Sequence, residues 1–377
     1  LQFSLMVKIL SAIRSPSNTY GGSFRDVLPA ELLAQVYKEA VAKSGVEPKE
    51  FFEALAGWGI QTSEAPNIAR VSWLLANFPI EVPAMSFQGK NEGGMWALLD
   101  GIRKVKFEEK AVLVGSVDVP STSPYLLKTI RFGVRGGHTV SHDPVEEFLN
   151  GYAEWNEFLA KDFKREDLDD YAVRSNRKAF MALRQGKLRP QIVPIKYKKK
   201  VPGSGEVEEV VLDDRTIDPA LSPARASKAE PLFENGKLTK FTLAQKADGA
   251  AAFVLAKGGD GIAEIVSYSF AAGKPEEIFE TTQRVVDDAV KKAGNPAIDL
   301  FEVEDHSSAI GLWAEERFGK DKVNIYGGLL AFGYTLSAAP TMALVRLIYA
   351  LRDNNFKTGL LLALGVEGEA FAFVIRV

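Results

Sequence analysis

The chain carries three histidines, His138, His142 and His306, and no cysteine. Without a thiol there can be no disulfide, no thiolate metal site and no cysteine nucleophile. His138 and His142 stand in a polar, glycine-rich stretch, Gly136-Gly137-His138-Thr139-Val140-Ser141-His142-Asp143. A polyhistidine zinc site would consume nearly every histidine present, so this stretch reads as a solvated loop and no metal is expected. The run Lys196-Tyr197-Lys198-Lys199-Lys200 leads into the turn Val201-Pro202-Gly203-Ser204-Gly205. Such a run is ordinarily a solvated hairpin face, and it could also meet a phosphate-bearing ligand, with Lys198 at its centre. Ser86 and Ser337 have nothing near them that resembles an activating triad.

The elements that must position these groups follow from apolar periodicity. Residues 7–13 form a short apolar run that ends in Arg14-Ser15-Pro16 and the turn-rich Tyr20-Gly21-Gly22-Ser23, which reads as a buried strand and a loop. Leu32, Leu33, Val36, Ala40 and Val41 then fall at helical spacing, with Gly45 as a stop signal. The phrase returns at an offset of 249: Ala40-Val41-Ala42-Lys43-Ser44-Gly45 matches Ala289-Val290-Lys291-Lys292-Ala293-Gly294, and Phe52-Glu53 matches Phe301-Glu302. An internally duplicated β/α unit is expected. Residues 111–115, 250–255, 262–268 and 360–364 are further apolar runs of the kind that suit a sheet covered on both faces. Between about 119 and 244 the rhythm gives way to charge, proline and aromatics, which predicts an inserted loop domain; the expected divisions are 1–118, 119–244 and 245–377.

A 377-residue chain can bury a sizeable core. With 46% hydrophobic residues, 25% charged and a net charge of −3, it has the profile of a soluble globular protein and nothing that asks for nucleic acid. No window approaches the roughly 18 apolar residues of a membrane span and no signal pattern opens the chain, so a cytoplasmic address is expected. The first five residues, ahead of Met6, are set aside from the reading of the fold, their being native or an extension left open.

Seven phrases in order resemble the thiolase family from about residue 7 to 377. They are Arg14-Ser15-Pro16 with Gly21-Gly22-Ser23-Phe24-Arg25-Asp26-Val27, Asn67-Ile68-Ala69-Arg70, Ser123-Pro124-Tyr125-Leu126-Leu127, Tyr171-Ala172-Val173-Arg174-Ser175, Ile192-Val193-Pro194, Asp248-Gly249-Ala250-Ala251, and Val323-Asn324-Ile325-Tyr326-Gly327-Gly328. The resemblance implies two βαβαβαββ halves in a five-layer α/β/α/β/α body, with a loop domain inserted in the first half. It also implies where chemistry would stand. Asn91, in Gly89-Lys90-Asn91-Glu92-Gly93-Gly94, takes the place of the family's nucleophilic cysteine, and an amide cannot form an acyl-enzyme. Tyr334, in Gly333-Tyr334-Thr335, replaces the activating histidine; a phenol is no base near neutral pH unless its pKa of about 10 falls substantially. Ala363 stands at the second cysteine's position. Glu304-Asp305-His306-Ser307 replaces the phrase that orients an oxyanion-hole water, and a carboxylate there would repel a developing enolate.

Asn91 and Tyr334 each precede a helix, so the family fold would bring them to one pocket from opposite halves. The segment that lies along coenzyme A becomes Phe241-Thr242-Leu243-Ala244-Gln245-Lys246, leaving Ala244, Lys246 and Lys198 as the residues to meet a coenzyme A thioester, should one bind. No cofactor is required. The expected function is a non-catalytic or repurposed subunit, a homodimer or a heteromer with a thiolase-type or zinc-containing OB-fold partner. The alternative is a cysteine-independent retro-aldolase or C–C lyase on a β-hydroxyacyl-CoA, with Tyr334 as its acid or base and His306, Asp305 and Glu304 as neighbours.

Overall fold

The computed structural model describes residues 7–60, 65–127, 141–201, 203 and 205–377. It opens with β1 (Val7–Arg14) and α1 (Pro29–Ser44). Pro29 occupies the first turn, where a backbone N–H has no partner to lose, and Gly45 ends the helix in the left-handed region at φ 71°. β2 (Phe51–Trp58), α2 (Ile68–Leu75), β3 (Ala84–Gln88), α3 (Gly93–Glu108) and β4 (Ala111–Asp118) follow. The insert carries α4 (Pro144–Phe148), α5 (Tyr152–Leu159), α6 (Arg165–Arg184) and a hairpin of β5 (Ile195–Val201) and β6 (Gly205–Val211). The chain then runs through β7 (Ala247–Ala256), β8 (Ala263–Ala272), α7 (Ile278–Lys292), β9 (Leu300–Val303), α8 (Ser308–Phe318), α9 (Ala339–Asp353), β10 (Thr358–Leu364) and β11 (Glu369–Arg376).

Strand pairing repeats between the halves. The first half orders its strands β3-β2-β4-β7-β1 and the second β9-β10-β11-β8. The counterpart of β3 is reduced to one parallel bridge, Phe301 to Val323. The offset of 249 holds through α1 and α7 and through β2 and β9, and one side-chain hydrogen bond recurs with its acceptors at that offset and its serine donors 256 residues apart. Ser11 Oγ donates to the carbonyl of Ala40 at 2.6 Å, and Ser267 Oγ donates to that of Ala289, also at 2.6 Å. β1 and β8 meet edge to edge through Val7–Ile265 and Ile9–Ala263, which joins the halves into one path of nine strands, with the two-residue strand Asn18–Thr19 added off it against β7.

Alternation along the strands sends side chains to both faces. Ala54, Ala56, Leu113, Ala252 and Val254 pack under α1 and α2, while Leu55, Val112, Val114, Phe253 and Leu255 face α3 and α9. The second half repeats this: Leu361, Phe371, Phe373 and Ile375 face the central helices, and Leu360, Leu362, Ala372 and Val374 lie under α7 and α8. α9 is buried on every side, which suits a helix sandwiched between two sheets. Five layers result.

β7 completes the first half, pairing with β4 and β1. The second half therefore starts at β8 rather than at residue 245, because each half needs a closing antiparallel strand and β7 is the first half's. His138 lies outside the described residues, and the backbone of His142 sits in a two-residue strand against residues 126–127. Among the described residues no group of histidines and carboxylates could hold a metal, and no helix is long and apolar enough to cross a membrane.

Candidate active site

The central helices α3 and α9 start side by side, and small residues allow it. A Cβ on Gly57 would meet the backbone of Gly93 at 2.2 Å, and one on Gly94 would meet the carbonyl oxygen of Ser337 at 2.5 Å. Asn91 lies in the single tight turn that precedes α3, with Lys90 held at φ 48°. Tyr334 follows Gly333, whose φ is 76°, and is threaded into a ladder: its N–H donates to Gln245 at 2.7 Å and its carbonyl accepts from Ala247 at 3.0 Å. These two turns bring Asn91 and Tyr334, 243 residues apart, into direct contact. The Tyr334 hydroxyl donates to Asn91 Oδ1, and both side chains are buried.

Three further groups close around that contact. Tyr152 of α5 stacks on Tyr334 with ring centres 5.1 Å apart and planes 11° from parallel, and His306 meets the Tyr334 ring edge-on at 4.8 Å. His306 Nε2 lies 2.7 Å from the carbonyl oxygen of Leu364, so that nitrogen carries the proton and donates. The Tyr152 hydroxyl donates to the carbonyl oxygen of His306 at 3.3 Å and lies 3.4 Å from Nδ1. Burial pushes the imidazole down to about 4, so it is neutral over the ordinary pH range. Burial also lifts the Tyr334 phenol well above its usual 10, with nearby Glu304 adding to the effect.

Glu304 and Glu92 are buried beside this cluster. Both are held well above the usual carboxylate range, chiefly by burial; Glu304, Glu369 and Glu367 add repulsion at Glu92. Among the described residues neither oxygen of Glu92 has a hydrogen-bond partner, and Oε1 of Glu304 and Nδ2 of Asn91 lack one too. The Glu92 carboxyl occupies the space a side chain on Gly365 would need, 1.6 Å from where its Cβ would be.

The sequence reading is realised unevenly. Asn91, Tyr334, His306 and Glu304 come together. Asp305 does not join them: it turns the other way, accepting from the Tyr171 hydroxyl at 2.8 Å and from the N–H of Leu329 at 2.6 Å, with burial lifting it to about 7. Ala363 points to the central helices, and the neighbouring Leu364 is the strand residue that meets His306. Ala244 and Lys246 act through their backbones, Ala244 N–H donating to the carbonyl of His306 at 2.8 Å and Lys246 bridging to Tyr334. The Lys246 ammonium reaches Glu146 and lies 5.0 Å from the Tyr20 ring centre. Lys198 is apart from the cluster on the exposed hairpin, paired with Glu206 at 3.5 Å. The basic run faces an acidic one, Glu206, Glu208 and Glu209 on β6, which cancels its field.

Tyr152 and Glu92 were missed. Tyr152 sits in the insert, 154 residues from His306, with no local signal. Glu92 did carry one, a charge beside two glycines at the start of an apolar helix.

An open cleft of about 560 Å³ lies alongside, lined by Gly59, Gln88, Lys90, Trp96, Phe148 and the Glu367–Glu369 side of the last turn. Asn91, Tyr334 and His306 do not line it.

Comparison with known proteins accounts for the architecture. The thiolase N-terminal domain matches residues 7–259 and the thiolase C-terminal domain residues 260–377. Acetyl-CoA acetyltransferase IB of Candida tropicalis is 30% identical, across 98% of this chain and 97% of its own. The Bacillus anthracis acetyl-CoA acetyltransferase structure superimposes with a TM-score of 0.92 at 29% identity, covering 99% of both chains. Human mitochondrial 3-ketoacyl-CoA thiolase, at 24% identity, shares the fold with a TM-score of 0.89 and 98% of each chain covered. Matched along its described length by both domains, the chain belongs to the thiolase family.

Proposed function

We propose that this protein is a thiolase-family subunit that has given up cysteine-dependent acyl transfer and serves a thiolase-type acyl-CoA assembly without running its chemistry. In this reading Asn91 stands in for the family's nucleophile and Tyr334 for its activating histidine. The observation that carries it is the contact between them. Where an acyl group would have to sit, a phenol donates to an amide, and Tyr152 and His306 pack the remaining sides. A neutral amide also leaves the positive end of α3 with no anion to stabilise. The lyase alternative needs room for a β-hydroxyacyl chain between Tyr334 and Asn91, and the hydrogen bond between them removes its support.

The assembly part of the reading rests on a sheet edge. β3 ends the strand path, and Leu74, Leu75, Ile80 and Met85 are exposed on or near it. An edge with no further strand beside it among the described residues, flanked by apolar side chains, suits a second subunit, a copy of this chain or a thiolase-type or OB-fold partner. The purified protein should neither cleave acetoacetyl-CoA with coenzyme A nor condense acetyl-CoA, and should run as a dimer by light scattering that Met85→Lys weakens. Turnover that survives removal of contaminating thiolase would overturn the first claim. A monomer at micromolar concentration with no partner in native extracts would overturn the second.

A further inference from the structure

We propose that Asn150 is a site of spontaneous covalent modification, an asparagine that loses its side-chain amide by cyclising onto the backbone nitrogen of Gly151. In this reaction the Gly151 nitrogen gives up its proton to solvent hydroxide and attacks the Asn150 side-chain carbonyl carbon. A C–N bond forms there, the bond to the amide nitrogen breaks, and ammonia leaves with a proton drawn from water. Water then opens the resulting cyclic imide at either carbonyl, giving aspartate or isoaspartate. Across both steps one water enters and one ammonia departs. The attacking nitrogen must be unengaged and uncrowded, which is why a following glycine, with no Cβ, permits the reaction.

Asn-Gly occurs twice in the sequence, at 150–151 and at 235–236, and the fold treats the two pairs differently. Both asparagines are exposed. Asn150 lies in the turn between α4 and α5, and the N–H of Gly151 makes no hydrogen bond among the described residues. Gly151 also stands open, with nothing within 4 Å of where a Cβ would be. The N–H of Gly236 instead donates to the carbonyl of Phe233 at 2.9 Å. A Cβ on Gly236 would lie 3.0 Å from that oxygen and 3.2 Å from Glu157 Oε2, and the same carboxylate fixes the turn by accepting from the N–H groups of Lys237 at 2.6 Å and Leu238 at 3.0 Å. Having to release one such hydrogen bond slows the attack by a factor of about two to ten.

The position gives the modification a consequence. Tyr152 N–H donates to the carbonyl of Leu149 and Trp155 N–H to that of Gly151, both at 2.9 Å, and these bonds seat the start of α5. Tyr152 is the ring that stacks on Tyr334. Isoaspartate routes the main chain through the former side chain, which adds one carbon inside the loop that the bond from Tyr152 to Leu149 closes. The start of α5 loosens, and with it the stack over the closed centre.

The test is incubation of the full chain at mildly alkaline pH and body temperature, followed by digestion and mass spectrometry of the peptides that carry residues 150 and 235. The peptide with Asn150 should convert from amide to acid, as chromatographically separable aspartate and isoaspartate forms, about twofold to tenfold faster than the peptide with Asn235. In guanidinium, where the fold is lost, the two should convert at similar rates. The melting temperature of the parent should fall as isoaspartate accumulates, whereas Asn150→Gln, whose longer side chain closes the ring far less readily, should hold its melting temperature over the same period. Asn150 is exposed, so that variant should fold. Conversion at Asn235 as fast as at Asn150, a contrast that persists in guanidinium, or a parent that accumulates isoaspartate at 150 while melting like Asn150→Gln would each overturn the proposal.

Discussion

Replacing Tyr334 by phenylalanine tests the closed centre with a single atom. The ring, its stack on Tyr152 and its edge contact with His306 remain, and only the oxygen that donates to Asn91 is lost. Asn91 Nδ2 has no partner to begin with, so the substitution leaves a buried primary amide wholly unsatisfied. That costs about 1–3 kcal/mol, partly offset because a buried hydroxyl no longer has to be desolvated. A net loss of about 1–2 kcal/mol follows, a shift of roughly 2 °C in melting temperature for a chain of this size. Asn91→Ala strands the Tyr334 hydroxyl instead and should cost a similar amount. In the double variant nothing is stranded, so its loss should fall short of the sum by about 1 kcal/mol or more. Guanidinium denaturation followed by circular dichroism and fluorescence would measure all four corners of the cycle. Strict additivity, or a Tyr334→Phe protein more stable than the parent, would mean that the hydroxyl and the amide do not sustain each other.

Three more outcomes follow from the same cluster. Glu92 binds its proton more tightly folded than unfolded, so its contribution is fully present below about pH 4.5 and is lost as pH rises; Glu92→Gln should therefore gain on the parent above that pH, by up to about 1.4 kcal/mol per unit. Denaturation midpoints that track the parent from pH 4.5 to 8 would contradict this. Gly365→Ala drives a methyl into the Glu92 carboxyl and should cost about 1–3 kcal/mol, with Glu92→Ala restoring most of the loss; failure of that rescue would place the clash elsewhere. Asn91→Cys should leave acetoacetyl-CoA thiolysis absent, because Tyr334 and a buried neutral His306 supply no base, and recovery of turnover by this one change would show the remaining machinery to be intact.

Much of the body was legible before folding. Pro29 and Gly45 bound α1 because proline and glycine have local backbone reasons to sit at helix ends. The copy at an offset of 249 announced the second half, and the apolar runs at 111–115, 250–255 and 360–364 announced strands buried on both faces. Asn91 and Tyr334 were placed together through resemblance, since each precedes one of two equivalent helices. The duplicated bond from Ser11 to Ala40 and from Ser267 to Ala289 was not visible, because a serine in a strand carries no sign of the carbonyl it will meet.

Composition alone determined that these 377 residues offer no thiol, because a missing side chain cannot be supplied by folding. Periodicity and turn residues determined where helices and strands lie, because those preferences act within a few residues. Only the tertiary structure decided which side of the chain each site residue shows. Glu304 and His306 face Tyr334 while Asp305 between them faces Tyr171, an outcome of the path the chain takes just after β9 and of what stands opposite. It also decided that Tyr152 from the insert fills the space over Tyr334, that Lys198 spends its charge on Glu206, and that Glu92 is buried without a partner. Each of these is a meeting of residues far apart in the chain, or a matter of burial, and neither distance in space nor access to water is written in local sequence.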